Sequence, residues 1–273
     1  MAISFKPVKL QGKRGCLLYF WGRMYTLKKS LGQHFLKDET ICRRIIALLE
    51  EEPFRNLLEV GPGGGALTKY LIALPEIDFK AVELDHEKVV YLSERYPVLA
   101  NKIIEGSILD IKPPFPDHFT VIGNFPYNIS TQILFRVIEW RDQVDRVIGM
   151  FQKEVAVRIA AGPGNKDYGI LSVLLQAYFK VDYRLDVDED CFNPPPKVKS
   201  GVVSLLNTHN PYGIKDYRKL HILVKAAFGQ RRKQLRNPLK PYFSAAELTD
   251  PLFTRRAEQL SVEEYVALIP RMS

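Results

Sequence analysis

The chain has 273 residues, 46% of them hydrophobic, with 39 Lys/Arg against 31 Asp/Glu and a formal net charge of +8. That length supplies a real core and suits one large domain plus a smaller one, and no apolar run is long enough to span a membrane. Cys16, Cys42 and Cys191 have neither zinc nor disulfide spacing, so free thiols, a reducing cytoplasm and no bound metal are expected.

The charge is unevenly spread. Residues 1–44 carry ten Lys/Arg and two Asp/Glu, residues 45–193 fifteen and twenty-three, residues 194–241 eleven and one, and residues 242–273 three and five. Two basic segments thus flank a mildly acidic body, which suits a polyanion that touches both. Solvated basic faces are the alternative, but residues 194–241 hold a single carboxylate to pair with.

Residues 1–26 read as an N-terminal extension. Basic residues followed by Leu17-Leu18-Tyr19-Phe20-Trp21 superficially suggest a signal peptide, but the apolar part is short and lacks a small-residue cleavage site. Met24 stands directly before Tyr25-Thr26-Leu27-Lys28-Lys29, and a chain beginning at Met24 is expected to stay active.

Residues 39–52 read as an amphipathic helix with Ile41, Ile45, Leu48 and Leu49 on one face. Asn56 to Val60 is a strand that enters Gly61-Pro62-Gly63-Gly64-Gly65 and then a helix to about Leu74. Further strands are expected at 79–84, 102–105, 121–124 and 146–151. Helices are expected up to about Arg95, from Ser130 to Trp140, and from near Lys153. This alternation predicts an α/β fold with a doubly wound, mostly parallel sheet. Segments 181–187 and 198–206 read as late strands of the same domain, which spans 27–207. After Asn207 the alternation stops, and helices near 215–228, 244–250 and 261–269 predict a small α-helical domain over 208–273.

The glycine stretch lets backbone approach a ligand at a helix N-terminus. Gly61-x-Gly63-x-x-Ala66 also fits the loose dinucleotide pattern, so a nicotinamide enzyme competes at this point. Glu83, at the end of the second strand, suits the hydroxyls of any adenosine ribose. Glu59, just before the glycines, suits a cofactor carrying an ammonium and a sulfonium group, as S-adenosylmethionine does. Helix capping is the plain structural alternative for such acids.

Asn124-Phe125-Pro126-Tyr127 follows the apolar run Thr120-Val121-Ile122-Gly123. An amide, a rigid proline and an aromatic ring are thereby delivered together at a strand's C-terminal edge, where ligands bind in such sheets. An ordinary strand-to-turn transition is the alternative. The tetrad resembles the signature of amino-group methyltransferases acting on the exocyclic amine of adenine. That nitrogen is a poor nucleophile, because its lone pair is delocalised into the ring. The Asn124 side-chain oxygen and the Pro126 carbonyl could both accept from it, and proline holds its carbonyl in place beforehand.

Segments Lys29–Leu36, Leu58–Gly63, Asn124–Tyr127, Gln152–Ala156, Tyr168–Val173, Phe192–Val198, Ala227–Asn237 and Arg256–Ser261 resemble, in order, one family. It is that of the small-subunit ribosomal RNA adenine dimethyltransferases of the KsgA type, with a Rossmann-like S-adenosylmethionine-dependent methyltransferase domain. The resemblance implies four methyl transfers to two adjacent adenosines near the 3′ end of 16S rRNA. It also implies that Gln33, His34 and Leu36 border the cofactor, that Gly61, with Gly63, lies under its methionine part, and that Glu83 binds its ribose. Asn124 would bridge cofactor and amine, Tyr127 would stack on the base, and Phe192 would form an exposed opposing wall beside Pro194-Pro195-Pro196.

Ser107 stands in Gly106-Ser107-Ile108-Leu109 where the family has an aspartate that holds the adenine amino group, so weaker cofactor binding is expected. Arg231, Arg232, Lys233 and Arg236, with Lys197, Lys28 and Lys29, would contact RNA. Lys37 lies on the same N-terminal arm. The expected partner is a precursor of the small subunit, met by a monomer. No catalytic general base is required, and His34 reads as a positioning residue. A large-subunit adenine methyltransferase and a non-catalytic assembly factor are the competing functions; the basic 230–237 segment opposes the first and the intact tetrad the second.

Overall fold

The computed structural model describes residues 34–273 and, before them, only the backbone of an antiparallel hairpin, β1 (Leu17–Phe20) and β2 (Arg23–Thr26). Lys28, Lys29, Gln33 and Cys16 lie outside the described residues. The chain continues through β3 (Phe35–Leu36), α1 (Glu39–Ala47), β4 (Asn56–Val60), α2 (Thr68–Leu71), β5 (Asp78–Glu83), α3 (His86–Arg95) and β6 (Ile103–Glu105). It then forms β7 (Phe119–Asn124), α4 (Ser130–Glu139), β8 (Val144–Gln152), α5 (Lys153–Ala160) and α6 (Ile170–Gln176). β9 (Phe179–Val187), β10 (Phe192–Asn193), β11 (Ser200–Asn207), α7 (Tyr217–Gly229) and α8 (Val262–Leu268) complete it.

Seven strands form one sheet in the order β6-β5-β4-β7-β8-β11-β9. The first five are parallel, and β11 runs antiparallel to both β8 and β9. Strand order reverses between β4 and β7, so the loops leaving those strands splay apart and open a crevice at their C-terminal ends. The expected α/β class with helices on both faces is therefore what forms.

The core explains why the strands read as unbroken apolar runs. Leu58, Val121, Val147 and Val203 point to one hydrophobic cluster, while their neighbours Leu57, Ile122, Ile148 and Val202 point to another. Side chains alternate across a pleated strand, so a sheet covered on both sides needs an apolar residue at every position. Leu220, Leu223, Val224 and Tyr265 of the C-terminal helices join the first cluster, making that core continuous with the sheet's.

Helix starts follow local chemistry. The Asp38 carboxylate accepts from the N–H of Ile41 at 3.0 Å, and Ser261 and Glu264 form a reciprocal capping box on α8. Three expectations shift. The helix after the glycines is only Thr68–Leu71, because turns occupy the residues before and after it. Residues 244–250 form a short 3-10 turn, Glu247–Thr249, rather than a helix. Helix α6 was not anticipated; its buried run Leu171–Leu175 lacks the helical period on which a sequence reading depends. Cys42 and Cys191 are free thiols. Among the described residues no helix is long and apolar enough to cross a membrane.

Candidate cofactor and acceptor site

A crevice at the C-terminal ends of β4, β5 and β7 gathers His34, Leu36, Glu59, Gly61, Gly63, Glu83, Ser107, Asn124, Pro126 and Tyr127. These expected site residues span more than ninety positions of sequence and meet in one place. Gly61, Gly63 and Gly65 have φ of 67°, 55° and 83°, a left-handed backbone that favours glycine. At Gly63 a Cβ would also lie 2.8 Å from the Phe35 ring, so any side chain there would require that ring to shift.

Glu83 is fixed by its neighbours: its Oε2 accepts from the Gly63 N–H at 3.1 Å and its Oε1 from the Asp85 N–H at 2.9 Å. Each oxygen keeps a lone pair for a ligand hydroxyl. Burial raises its pKa above the ordinary value. Glu59 is 2% exposed, and its Oε2 accepts from the hydroxyl of Thr68 at 2.7 Å. Burial pushes its carboxyl up to about 8, with the Thr68 bond lowering and the Glu83 charge adding to the shift. Sequence reasoning missed Thr68, because nothing at nine residues' separation marks a partner for Glu59.

The crevice thus holds two acidic side chains, and among the described residues that line it there is no Lys or Arg. That donor set fits a cofactor with an ammonium and a sulfonium.

Ser107 lies in the crevice, but its hydroxyl oxygen accepts from the Leu109 N–H at 3.1 Å. An aspartate would keep this turn bond with one oxygen and offer the other to an amino group. Ser107→Asp is therefore expected to tighten S-adenosylmethionine binding about 3- to 10-fold, the worth of one hydrogen bond. Calorimetry showing equal or weaker binding by the aspartate form would refute this.

Asn124 ends β7 with its side-chain Nδ2 donating to the His34 carbonyl at 2.9 Å. A carbonyl can only accept, so this contact fixes the amide's orientation and leaves Oδ1 free as an acceptor. The Pro126 carbonyl already accepts from the Ile129 N–H at 3.1 Å, with one lone pair remaining. The His34 ring stacks on Tyr127, centroids 5.6 Å apart and 28° between planes, and its Nδ1 meets the Pro194 carbonyl at 2.9 Å.

Phe192 departs from expectation. Its ring is 1% exposed and belongs to the core cluster of Leu36 and Ile148. Residues Phe192–Asn193 pair with Phe35–Leu36, which draws the ring inward. It lines a neighbouring shallow cleft with Lys37 and Lys199 instead of the crevice. The proline run does present Pro195 and Lys197 to solvent, but it buries Pro196. Of the basic residues, Arg232, Lys233 and Arg236 are exposed. Arg231 is partly committed, to Glu258 at 3.7 Å and to the Asn165 carbonyl at 3.3 Å.

A family model described as ribosomal RNA adenine dimethylase matches residues 24–272. The chain is similar to ribosomal RNA small subunit methyltransferase A of Cytophaga hutchinsonii, 47% identical over 253 residues, covering 90% of this chain and 97% of the relative. It is similar to the protein of that name from Flavobacterium johnsoniae, 48% identical over 250 residues, covering 90% and 95%. Among solved structures it resembles a dimethyladenosine transferase from Plasmodium falciparum, with TM-score 0.73, 24% identity, and coverage of 86% of this chain and 96% of that one. It also resembles the 23S rRNA methyltransferase ErmE, with TM-score 0.68, 23% identity and coverage of 87% and 99%. At these identities the structural likeness speaks for the fold alone.

Proposed function

Because the chain belongs to the ribosomal RNA adenine dimethylase family, we propose that its acceptors are two adjacent adenosines near the 3′ end of 16S rRNA, each converted to N6,N6-dimethyladenosine. The chain is an S-adenosylmethionine-dependent rRNA adenine dimethyltransferase of the small ribosomal subunit. S-adenosylmethionine supplies an electrophilic methyl group when bound. Glu83 would hold its ribose hydroxyls, Glu59 its cationic end, and His34, Leu36, Gly61, Gly63 and Ser107 its remaining borders. Gln33 is proposed for the same set by its motif position.

The observation that carries the acceptor assignment is the orientation of Asn124. With Nδ2 engaged by His34, the free Oδ1 and the spare lone pair of the Pro126 carbonyl can both accept from an exocyclic amine. Two such acceptors localise the nitrogen lone pair toward the methyl donor. They are in place before the base arrives, so no reorganisation is needed during transfer. The base must leave its stack to reach them, and Tyr127 would carry its ring, stacking being worth about 1–3 kcal/mol. Phe192 would serve as the buried underside of the proline turn.

Residues 27–207 would act as the methyltransferase domain and 208–273 as the rRNA-binding domain. Exposed Arg232, Lys233, Arg236 and Lys197 would contact phosphates, with Arg231 as a partly structural member and Lys28 and Lys29 on the arm. Replacing Arg232 or Lys233 by alanine should weaken RNA binding and flatten the slope of log affinity against log salt by about 0.7–0.9 per contact. Unchanged slopes in filter-binding titrations would remove these residues from the interface. We place the enzyme in the cytoplasm as a monomer on a precursor of the small subunit, where its substrate is assembled. Incubation with undermethylated small subunits and labelled cofactor, followed by mapping of the modified nucleotides, tests the acceptor. Label at any position other than the adjacent adenosine pair overturns it.

A further inference from the structure

We propose that Ser200 is a positioning residue for the acceptor base: it holds the phenol of Tyr127 and so sets the plane on which the base stacks. The proposal rests on Tyr127 being the base's wall. The Tyr127 Oη and Ser200 Oγ lie 2.5 Å apart across 73 residues of sequence. Ser200 is fully buried and opens β11, where its backbone pairs with Gln152 of β8 and Val187 of β9. Its hydroxyl is therefore mounted on the sheet.

Tyr127 sits on the turn between β7 and α4. That turn's backbone is tied by Phe125 N–H to the Met150 carbonyl, by Ile129 N–H to the Pro126 carbonyl, and by the Ser130 hydroxyl to the Tyr127 carbonyl. With the backbone fixed, the ring keeps two side-chain torsions, and a bond at its far end removes that freedom. Stacking alone needs no hydroxyl; phenylalanine would supply the same face. A phenol at this position is explained by its anchor. Among the described residues neither hydroxyl has another side-chain partner, and the fully buried Ser200 hydroxyl would lose its side-chain partner without Tyr127. Burial raises the Tyr127 pKa, which keeps the phenol protonated and able to donate.

The turn 194–199 thus reaches the site from both ends. Pro194 touches the His34 ring that stacks on Tyr127, and Ser200 holds Tyr127 itself. The exposed Lys197 lies between them, which couples the position of an RNA-facing turn to the tilt of the base's platform.

The test compares Ser200→Ala, Tyr127→Phe and the double variant in steady-state turnover on undermethylated small subunits, with cofactor affinity from calorimetry. Each single change should lower kcat about 10-fold, since a misplacement near 1 Å can cost up to 10²-fold, at unchanged cofactor affinity. The double variant should be no worse than either single one, because both remove the same bond. Wild-type kcat in Ser200→Ala, or losses that multiply in the double variant, overturns the proposal. Should Ser200→Ala fail to bind cofactor, Tyr127→Phe decides alone: wild-type kcat overturns it and a matching loss supports it. Tyr127→Ala separates the underlying reading. If it turns over normally, the wall assignment falls; if it is inactive while Tyr127→Phe keeps wild-type kcat, only the anchor falls.

Discussion

Replacing Asn124 by alanine is expected to lower kcat about 10²- to 10³-fold, the usual cost of removing one preorganised polar group aimed at the reacting centre. Two losses combine. The Oδ1 acceptor for the amine disappears, and the His34 carbonyl loses the Nδ2 donor that ties the segment before β3 to the end of β7. Cofactor affinity should fall far less, about 3- to 10-fold, because one neutral hydrogen bond is at stake there. Asn124→Asp sharpens the reading. It keeps an acceptor but turns the contact with His34 into oxygen against oxygen, so it should bind cofactor worse than Asn124→Ala. Steady-state kinetics with calorimetry separates these effects. An alanine variant with near wild-type kcat removes Asn124 from the chemistry, whereas an inactive alanine variant that rescues every defect of a deletion strain assigns the protein's main role to assembly.

The second large effect is a pH dependence centred on Glu59. Its carboxyl, ordinarily near 4.5, stands at about 8 because it is buried. Between those values the unliganded folded protein holds a proton that the unfolded chain releases. The folded state binds more protons there, so its stability contribution is full below 4.5 and is lost as pH rises toward 8. A cationic ligand reverses the preference. Binding favours the carboxylate and expels the proton, so cofactor affinity should rise by up to about tenfold per pH unit from 6 to 8 and level off above. Glu59→Gln can still accept from Thr68 but cannot ionise. It should flatten most of this profile and lose about 10- to 100-fold in affinity at pH 8, the worth of a charge-assisted contact. Glu83 is raised in the same direction by burial. Calorimetry across pH, with thermal unfolding of the unliganded protein, measures both arms. A wild-type affinity flat from pH 6 to 8 sinks the assignment.

How much of the site could be read in advance varies by residue, and the variation has a cause. Gly61 and Gly63 are legible because a left-handed backbone admits few residues other than glycine, so the requirement is written in residue type. Asn124, Pro126 and Tyr127 are legible because a polar tetrad ending a buried strand marks a sheet's functional edge. The charged segments are legible because charge is additive along a chain. Phe192 was misplaced because the Phe192–Asn193 and Phe35–Leu36 pairing, which turns its ring inward, joins segments more than 150 residues apart. Thr68 and Ser200 were missed for the same reason. Each is an ordinary hydroxyl residue whose meaning depends on a partner that only the folded sheet brings within reach.

By itself, the sequence determined the α/β class, the order of most strands and helices, the glycine-loop crevice, the tetrad and the basic segments, since all of these follow from local pattern and residue type. The tertiary structure decided which atoms face the crevice. It turned Asn124 so that its oxygen is free, raised the Glu59 carboxyl by burying it, committed half of the Pro126 carbonyl and of Ser107, buried Phe192, and tied Tyr127 to Ser200. Hydrogen-bond direction and desolvation depend on what stands within about 3 Å in space, and neighbours at that range are set by strand order and register, which no local stretch of sequence contains.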